Sequence, residues 1–397
     1  MPGGLVAHGG KRLKKVISGN EAVSLAVKLS RVQVISAYPI TPQTTIAEKL
    51  SEICGSGELE ASFVKVESEH SAMATLIGAA STGVRTFTAT SAQGLALMNE
   101  LLFWISGARL PVVLVDVNRA MAAPWTIWCD QTDSVAQRDT GLMQFYCWSN
   151  QEILDSVICS FKIAEALSLP CMVCFDGFFI SHTYEIVEIP DQEVVDRFLP
   201  TRKAETYLDT KNPMTFSGGT LPSDFMEFRY KLQKAFEKAP EVIDKVYNEY
   251  GKMMGRHYED IEPYFVDDAD VVLMASGSAA STVFHTVRNL RAAGKKAGFL
   301  RIRRLRPFPE KSLLAYIKAD VNYGVLDRNL SPGTGGVFTQ EIRSILNRNG
   351  VQNRIGEFIA GLGGRDITEQ NIRDIFNQLE TGRAGITDIN WIGVKGR

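Results

Sequence analysis

Cysteine, histidine and charge of one sign are all scarce in this sequence, and each scarcity removes a class of function. Six cysteines and five histidines are spread over 397 residues. That is too few, and too scattered, for a disulfide scaffold. No four cysteines fall at the spacing of an iron–sulfur site. Cys171 and Cys174 form one CxxC in "SLPCMVCFDG", without a second half-site nearby. The choice there lies between a redox pair or half a metal site and two small apolar fillers of a buried strand, and the missing half favours the fillers. His70 and His182 stand alone, with no partner histidine at metal-ligand spacing. A formal charge of −2 offers no basic face to nucleic acid and little to an anionic membrane. No apolar run approaches the length of a membrane span. The stretch Met1–Lys15 is glycine-containing and basic, with no apolar segment behind it as a signal peptide would have. The expectation is a cytoplasmic protein. Phosphate-binding signatures are missing too: there is no GxxxxGK[ST], and no GxGxxG after a strand. "SPGTGGV", Ser331–Val337, comes nearest, either as an anion-binding turn or as glycines that allow tight helix–strand packing.

What is present is alternation. Short apolar strands are predicted at Val32–Ala37, Phe63–Val66, Arg85–Thr90, Val112–Val117 and Cys171–Phe175. Helical patterns lie between them, at Ser71–Thr82, Leu95–Ser106 and Gln151–Ala166. That order implies a parallel sheet with helices on both faces. From about Pro190 to Pro263 the chain turns polar and proline-rich, with a charged helical stretch at Glu227–Tyr250. Alternation then resumes, with strands at Val271–Ser276, Gly298–Ile302, Asn322–Leu326 and Glu357–Ala360. Helices are expected at Ala279–Ala293, Glu310–Ala319, Phe338–Asn349 and Ile372–Leu379. The fold class is therefore α/β, with two doubly wound parallel-sheet domains, 1–190 and 266–397. A linker with a helical segment, 191–265, joins them.

Open parallel sheets bind ligands beyond the carboxyl ends of their strands. Four segments follow strands of the first domain: "YPITPQT", "ESEH", "SAQG" and "NRAMAAPWTIWCDQTD". Two prolines stiffen the first and present Thr41, either as a rigid connection or as a ligand contact. Glu67 and Glu69 flank a strand-to-helix corner, where a carboxylate either favours the helix N-terminus or acts as a proton-transfer group. Arg119 follows a buried strand and needs an anion, from the protein or from a substrate carboxylate. Trp125 and Trp128 either cover core or wall a pocket.

These motifs, together with "FVKVESEHSAM", "GVRTFTATSAQGLALMNE" and "LRPFP" at Leu305–Pro309, resemble the α subunit of 2-oxoacid:ferredoxin oxidoreductases, the pyruvate:ferredoxin oxidoreductase family. The resemblance runs in order along nearly the whole chain. It implies thiamine diphosphate chemistry, with a pyrimidine-binding first domain and a transketolase C-terminal-like second domain. A β subunit would hold the diphosphate and Mg²⁺. A γ subunit and a ferredoxin-like δ subunit would complete the complex, with the iron–sulfur clusters in partner chains and no metal site in this one. By the same resemblance Glu69 is the catalytic residue that hydrogen-bonds the aminopyrimidine nitrogen, and Gln93 lies with it at the cofactor. Tyr38, Pro39, Ile40, Thr41, Arg119 and Trp125 surround the substrate, with Thr41 beside the 2-oxoacid and Arg119 opposite, holding its carboxylate. The implied reaction is oxidative decarboxylation of a 2-oxoacid, pyruvate by default, to its acyl-coenzyme A. Trp125 and Cys129 depart from the family pattern. They make an aromatic 2-oxoacid such as phenylglyoxylate an alternative, with NAD reached through a flavin subunit. A non-catalytic scaffold and a transketolase-like enzyme without redox function are the readings from other classes.

Overall fold

The computed structural model describes residues 13–352, 355–382 and 388–396. Most of the basic N-terminal stretch lies outside the described residues. In chain order the strands are β1 (Leu13–Ser18), β2 (Val34–Ala37), β3 (Ser62–Lys65), β4 (Thr86–Thr90), β5 (Val113–Asn118), β6 (Met143–Tyr146), β7 (Cys171–Asp176) and β8 (Tyr184–Ile189). They continue as β9 (Ile261–Tyr264), β10 (Val271–Ala275), β11 (Ala297–Ile302), β12 (Arg304–Arg306), β13 (Asn322–Asp327), β14 (Ile355–Ile359) and β15 (Ile389–Trp391).

Two parallel-dominated sheets result. The first has the order β12-β6-β7-β5-β4-β2-β3 and the second β15-β14-β13-β10-β11-β9. Within these two sheets only the edge strands β12 and β9 run antiparallel, and β1 pairs antiparallel with β8 in a separate two-stranded sheet. β5 and β7 are buried along their whole length, as expected where helices cover both faces of a parallel sheet. Alternation then sorts their side chains. Cys171, Val173 and Phe175 enter one core, while Met172 and Cys174 enter the other.

Three features differ from the sequence reading. The pattern at Leu95–Ser106 breaks into helices Ala92–Leu97 and Asn99–Gly107 around Met98. The charged stretch of the linker is a helix of 33 residues, Pro222–Met254, opening on a proline and ending at Gly255 with φ +68°. Its Ala239, Ile243, Val246 and Tyr250 join the core of the first sheet. Finally, β12 leaves the second half of the chain to extend the first sheet beside β6. "RIRRLR" carries four arginines, three of them almost fully buried: Arg301, Arg303 and Arg304. They are tolerated because Glu152, Glu262 and Asp260 meet them. The short strands β6, β9, β12 and β15 carry too few residues for a period to register, and β1 and β8 are missing from the sequence reading as well. No helix among the described residues is long and apolar enough to cross a membrane.

Candidate active site

The carboxyl ends of β2, β3, β4 and β5 gather the four loops singled out in the sequence. The proline loop after β2 is seated from two sides. Asn20 Nδ2 donates to the Pro42 carbonyl at 2.8 Å and to Thr45 Oγ1 at 2.7 Å. Pro42 also packs on Gly177, where a Cβ would stand 2.6 Å from the proline ring. Gly177 of "FDGFF" is thus a seat for this loop. Tyr38, Pro39 and Thr41 are exposed and Ile40 is half-buried.

The two acids after β3 separate. Glu67 is exposed and accepts from the Ser71 hydroxyl, which holds its carboxyl below the usual range. Ser68, not either glutamate, caps helix Glu69–Ser81 through the Ser71 N–H. Glu69 is buried, and burial raises its carboxyl above the ordinary value. Its Oε1 lies against Gly94: a Cβ there would come within 2.4 Å of that oxygen and 2.6 Å of Thr90 Oγ1. Glycine is what lets the segment after β4 come this close. Next to it, Gln93 has both amide atoms buried without a hydrogen-bond partner, as are Thr90 Oγ1 and Asn118 Oδ1. Buried polar atoms ordinarily find partners. A ring bearing nitrogens and an amino group is the kind of ligand that supplies them, so this corner fits an aminopyrimidine.

Arg119 is buried at the end of β5. Its Nη1 donates to the Thr41 carbonyl at 3.0 Å and its Nε to the Thr126 carbonyl at 2.9 Å. Arg119 and Thr41 therefore share one wall of the site, where the sequence reading set them facing each other. Among the described residues the guanidinium meets no carboxylate, and its Cζ lies 5.9 Å from the Trp125 ring centroid. Trp125 is 74% exposed, so that ring stands at the mouth of the site.

The other residues singled out in the sequence are engaged elsewhere in the protein. Cys129 is fully buried, its carbonyl accepting from Gly364 N at 2.7 Å, so it does not shape an open pocket. Trp128 leans on Phe178, with ring centroids 4.8 Å apart. Cys171 and Cys174 are buried free thiols that burial pushes up, as apolar fillers would be. His182 bonds Ser181 through Nδ1, and His70 faces Glu100 at 3.9 Å. "SPGTGGV" is already satisfied: Glu357 accepts from Gly336 N, Asn329 from Val337 N, and Asp327 from Phe338 N and Thr339 N. Its glycines admit those carboxylates, since a Cβ at Gly335 would stand 1.9 Å from Glu357 Oε1. Among the described residues no group of three or more His, Cys, Asp or Glu could hold a metal ion.

Sequence reasoning missed two groups. Asp116 and Asp133 form a buried acid pair under the loops, bridged by Asn118. The signal was a carboxylate in the middle of "VVLVDVN". Asp176 joins the two sheets' units by accepting from Ser278 N at 2.7 Å, Gln131 Nε2 at 3.3 Å and Arg328 Nη1 at 3.3 Å. Nothing local in the sequence marks that contact.

Comparison with known proteins gives a consistent set of relatives. A family model described as "Pyruvate flavodoxin/ferredoxin oxidoreductase, thiamine diP-bdg" matches residues 25–248. A second, "Pyruvate:ferredoxin oxidoreductase core domain II", matches residues 269–372. Ketoisovalerate oxidoreductase subunit VorA of Pyrococcus abyssi is 49% identical over 391 residues, covering 97% of this chain and 99% of that protein. Pyruvate synthase subunit PorA of Methanothermobacter thermautotrophicus is 45% identical, covering 96% and 98%. Among solved structures, 2-oxoglutarate:ferredoxin oxidoreductase from Magnetococcus marinus superposes with a TM-score of 0.73 at 20% identity. That match covers 92% of this chain and 65% of the other, and speaks to fold alone. A split-gene transketolase gives 0.54 at 12% identity, covering 94% and 97%, again as fold.

Proposed function

The chain belongs to the 2-oxoacid:ferredoxin oxidoreductase family, as an α-type subunit, and from that premise we propose that it forms the aminopyrimidine side and the substrate wall of a shared thiamine diphosphate site. Thiamine diphosphate, when bound, supplies the carbon nucleophile and the electron sink for decarboxylation. The observation that carries the reading is the buried Glu69 carboxylate, pressed on Gly94 beside the unpartnered amide of Gln93. Burial raises the Glu69 carboxyl, so it can hold a proton at its Oε atoms and share it with a ring nitrogen. Gln93 orients the same ring through its amide. Arg119 is a buried cation whose guanidinium is fixed by two carbonyls and, among the described residues, pairs with no carboxylate, and it receives the 2-oxoacid carboxylate. Ile40, Thr41, Tyr38, Pro39 and Trp125 close the space around the acyl group.

The relatives' names include ketoisovalerate and pyruvate, so an aliphatic 2-oxoacid of that size is the proposed substrate, with coenzyme A as acyl acceptor. Partner subunits of β, γ and ferredoxin-like δ type are proposed to supply the diphosphate and Mg²⁺ site and the iron–sulfur clusters, in the cytoplasm. The division of the chain at 190 and 265 belongs to the same proposal. The exposed Trp125 beside Arg119 is the one feature that favours an aromatic 2-oxoacid with NAD as acceptor; Cys129 no longer supports it. A panel of 2-oxoacids with ferredoxin-type and NAD acceptors separates these. The deciding test is Glu69→Gln in the assembled complex. Turnover is expected to fall roughly 10²–10⁴-fold while assembly and cluster absorbance persist. Near-normal turnover would refute the assignment and revive a scaffold role.

A further inference from the structure

We propose that Asp133 is a positioning residue of this site: one carboxylate oxygen, Oδ2, accepts the backbone N–H of Ala92 at 3.0 Å and that of Arg119 at 2.8 Å, and so sets the spacing between the cofactor loop and the substrate loop. The inference rests on the functional reading above and gives a role to Asp133, the residue that closes "NRAMAAPWTIWCDQTD". Among the described residues no other carboxylate bonds the backbone of both loops. Ala92 immediately precedes Gln93 and Gly94, the residues set against Glu69. Arg119 carries the guanidinium. A single oxygen that fixes both N–H groups fixes how far apart ring and substrate carboxylate are held.

Three further observations support it. Ala92 has φ +43°, a conformation that L side chains rarely adopt. Surrounding structure must over-determine such a residue, and such positions cluster at functional sites. Here the determinants are the bond to Asp133 and that of Ser91 Oγ to the Val117 carbonyl at 2.8 Å. Second, Asp133 is arranged as an anion. Its Oδ1 accepts from Asn118 Nδ2 and Ser134 N, each at 2.8 Å, so four donors point at one carboxylate. An ionised carboxylate accepts at all these positions, whereas a protonated one would have to donate into one of them. Burial pushes its carboxyl up to about 7 while those donors pull it down. Third, a neighbour stays neutral so that Asp133 can be charged. Burial and the Asp133 charge push the Asp116 carboxyl well up, and Asn118 Nδ2 bridges the two acids. Two close buried carboxyls do not both ionise.

The experiment uses the assembled complex with this chain carrying Asp133→Asn or Asp116→Asn. The amide of Asp133→Asn keeps one acceptor oxygen and places a donor where the other stood. The KM for the 2-oxoacid and the Kd for thiamine diphosphate, titrated calorimetrically into the cofactor-free complex, are both expected to rise roughly tenfold or more. Asp116→Asn should leave both constants near those of the unaltered complex. A rise in only one constant, or equal effects from the two substitutions, overturns the proposal. So does a loss of assembled complex with unchanged constants in what remains. If Asp133→Asn does not assemble, hydrogen exchange on the unaltered complex decides: thiamine diphosphate should slow exchange over 91–98 and 118–121 together, and slowing of one segment alone overturns coupling. Glu69→Gln keeps the two failures apart. Normal turnover in that variant refutes the functional reading. An inactive Glu69→Gln beside an unaffected Asp133→Asn refutes this inference only.

Discussion

Adding one methyl group at Gly94 should disable the site without unfolding the protein. The Cβ of Gly94→Ala would stand 2.4 Å from Glu69 Oε1 and 2.7 Å from its Cδ. Cβ atoms essentially never approach other heavy atoms closer than 3.0 Å, so the carboxylate must retreat by about 0.6 Å, or about 1 Å to reach a relaxed 3.4 Å. Thr90 Oγ1, at 2.6 Å, blocks the other side. Gly94 sits inside helix Ala92–Leu97 at an ordinary helical φ, where alanine is favoured by about 1 kcal/mol. Overpacking opposes this by about 1–3 kcal/mol, so the two largely offset. The effect therefore falls on geometry: a misplacement of about 1 Å at a reacting centre is worth about 10² in rate. Steady-state turnover of the assembled complex, measured beside its thermal melting, should show a roughly hundredfold loss with little change in melting. Full turnover in a stable Gly94→Ala complex would show that Glu69 is not where the chemistry happens. Turnover falling only in step with assembly would refute the argument equally.

Two further tests concern the frame. Glu152 is buried between Arg301 and Arg303; burial alone would raise its carboxyl, but the two guanidiniums hold it below the usual range. Glu152→Gln leaves those cations short of a counter-charge and should destabilise the chain by about 3–5 kcal/mol in urea unfolding, whereas a loss under 1 kcal/mol would mean Glu262 suffices (about the worth of an exposed pair). Asp327, also buried, is pushed up to about 6 from 3.8. The native state thus holds this proton more tightly than the unfolded chain. Its stabilisation is complete below about pH 4 and disappears as pH rises through about 6, by about 3 kcal/mol. Relative to Asp327→Asn, the unaltered chain should lose that amount between pH 4 and 7 in chemical denaturation, and a flat difference between the two would contradict the assignment.

Much of the architecture follows from local pattern. The apolar runs of β5 and β7 and the helical spacing of Asn150–Leu167 need no knowledge of distant residues, because solvent exposure repeats with the geometry of each element. The four loops at the carboxyl edge follow from parallel topology, and Thr41, Glu69, Gln93 and Arg119 were each legible as occupants of that edge. Their arrangement was not. Whether Glu67 or Glu69 is buried depends on Gly94 arriving from another strand, and Arg119 meets Thr41 across 78 residues of chain. Asp133 reaches Ala92 across 41 residues, and Asp176 reaches Ser278 across 102. The buried arginines of "RIRRLR" are paired with Glu152, Glu262 and Asp260, which lie between 39 and 151 residues away along the chain. Composition and period by themselves determined the layers and the edge where ligands bind. Tertiary structure alone decided which polar atoms are paired and which are left for a ligand, because hydrogen bonding and desolvation depend on distance in space rather than on separation along the chain.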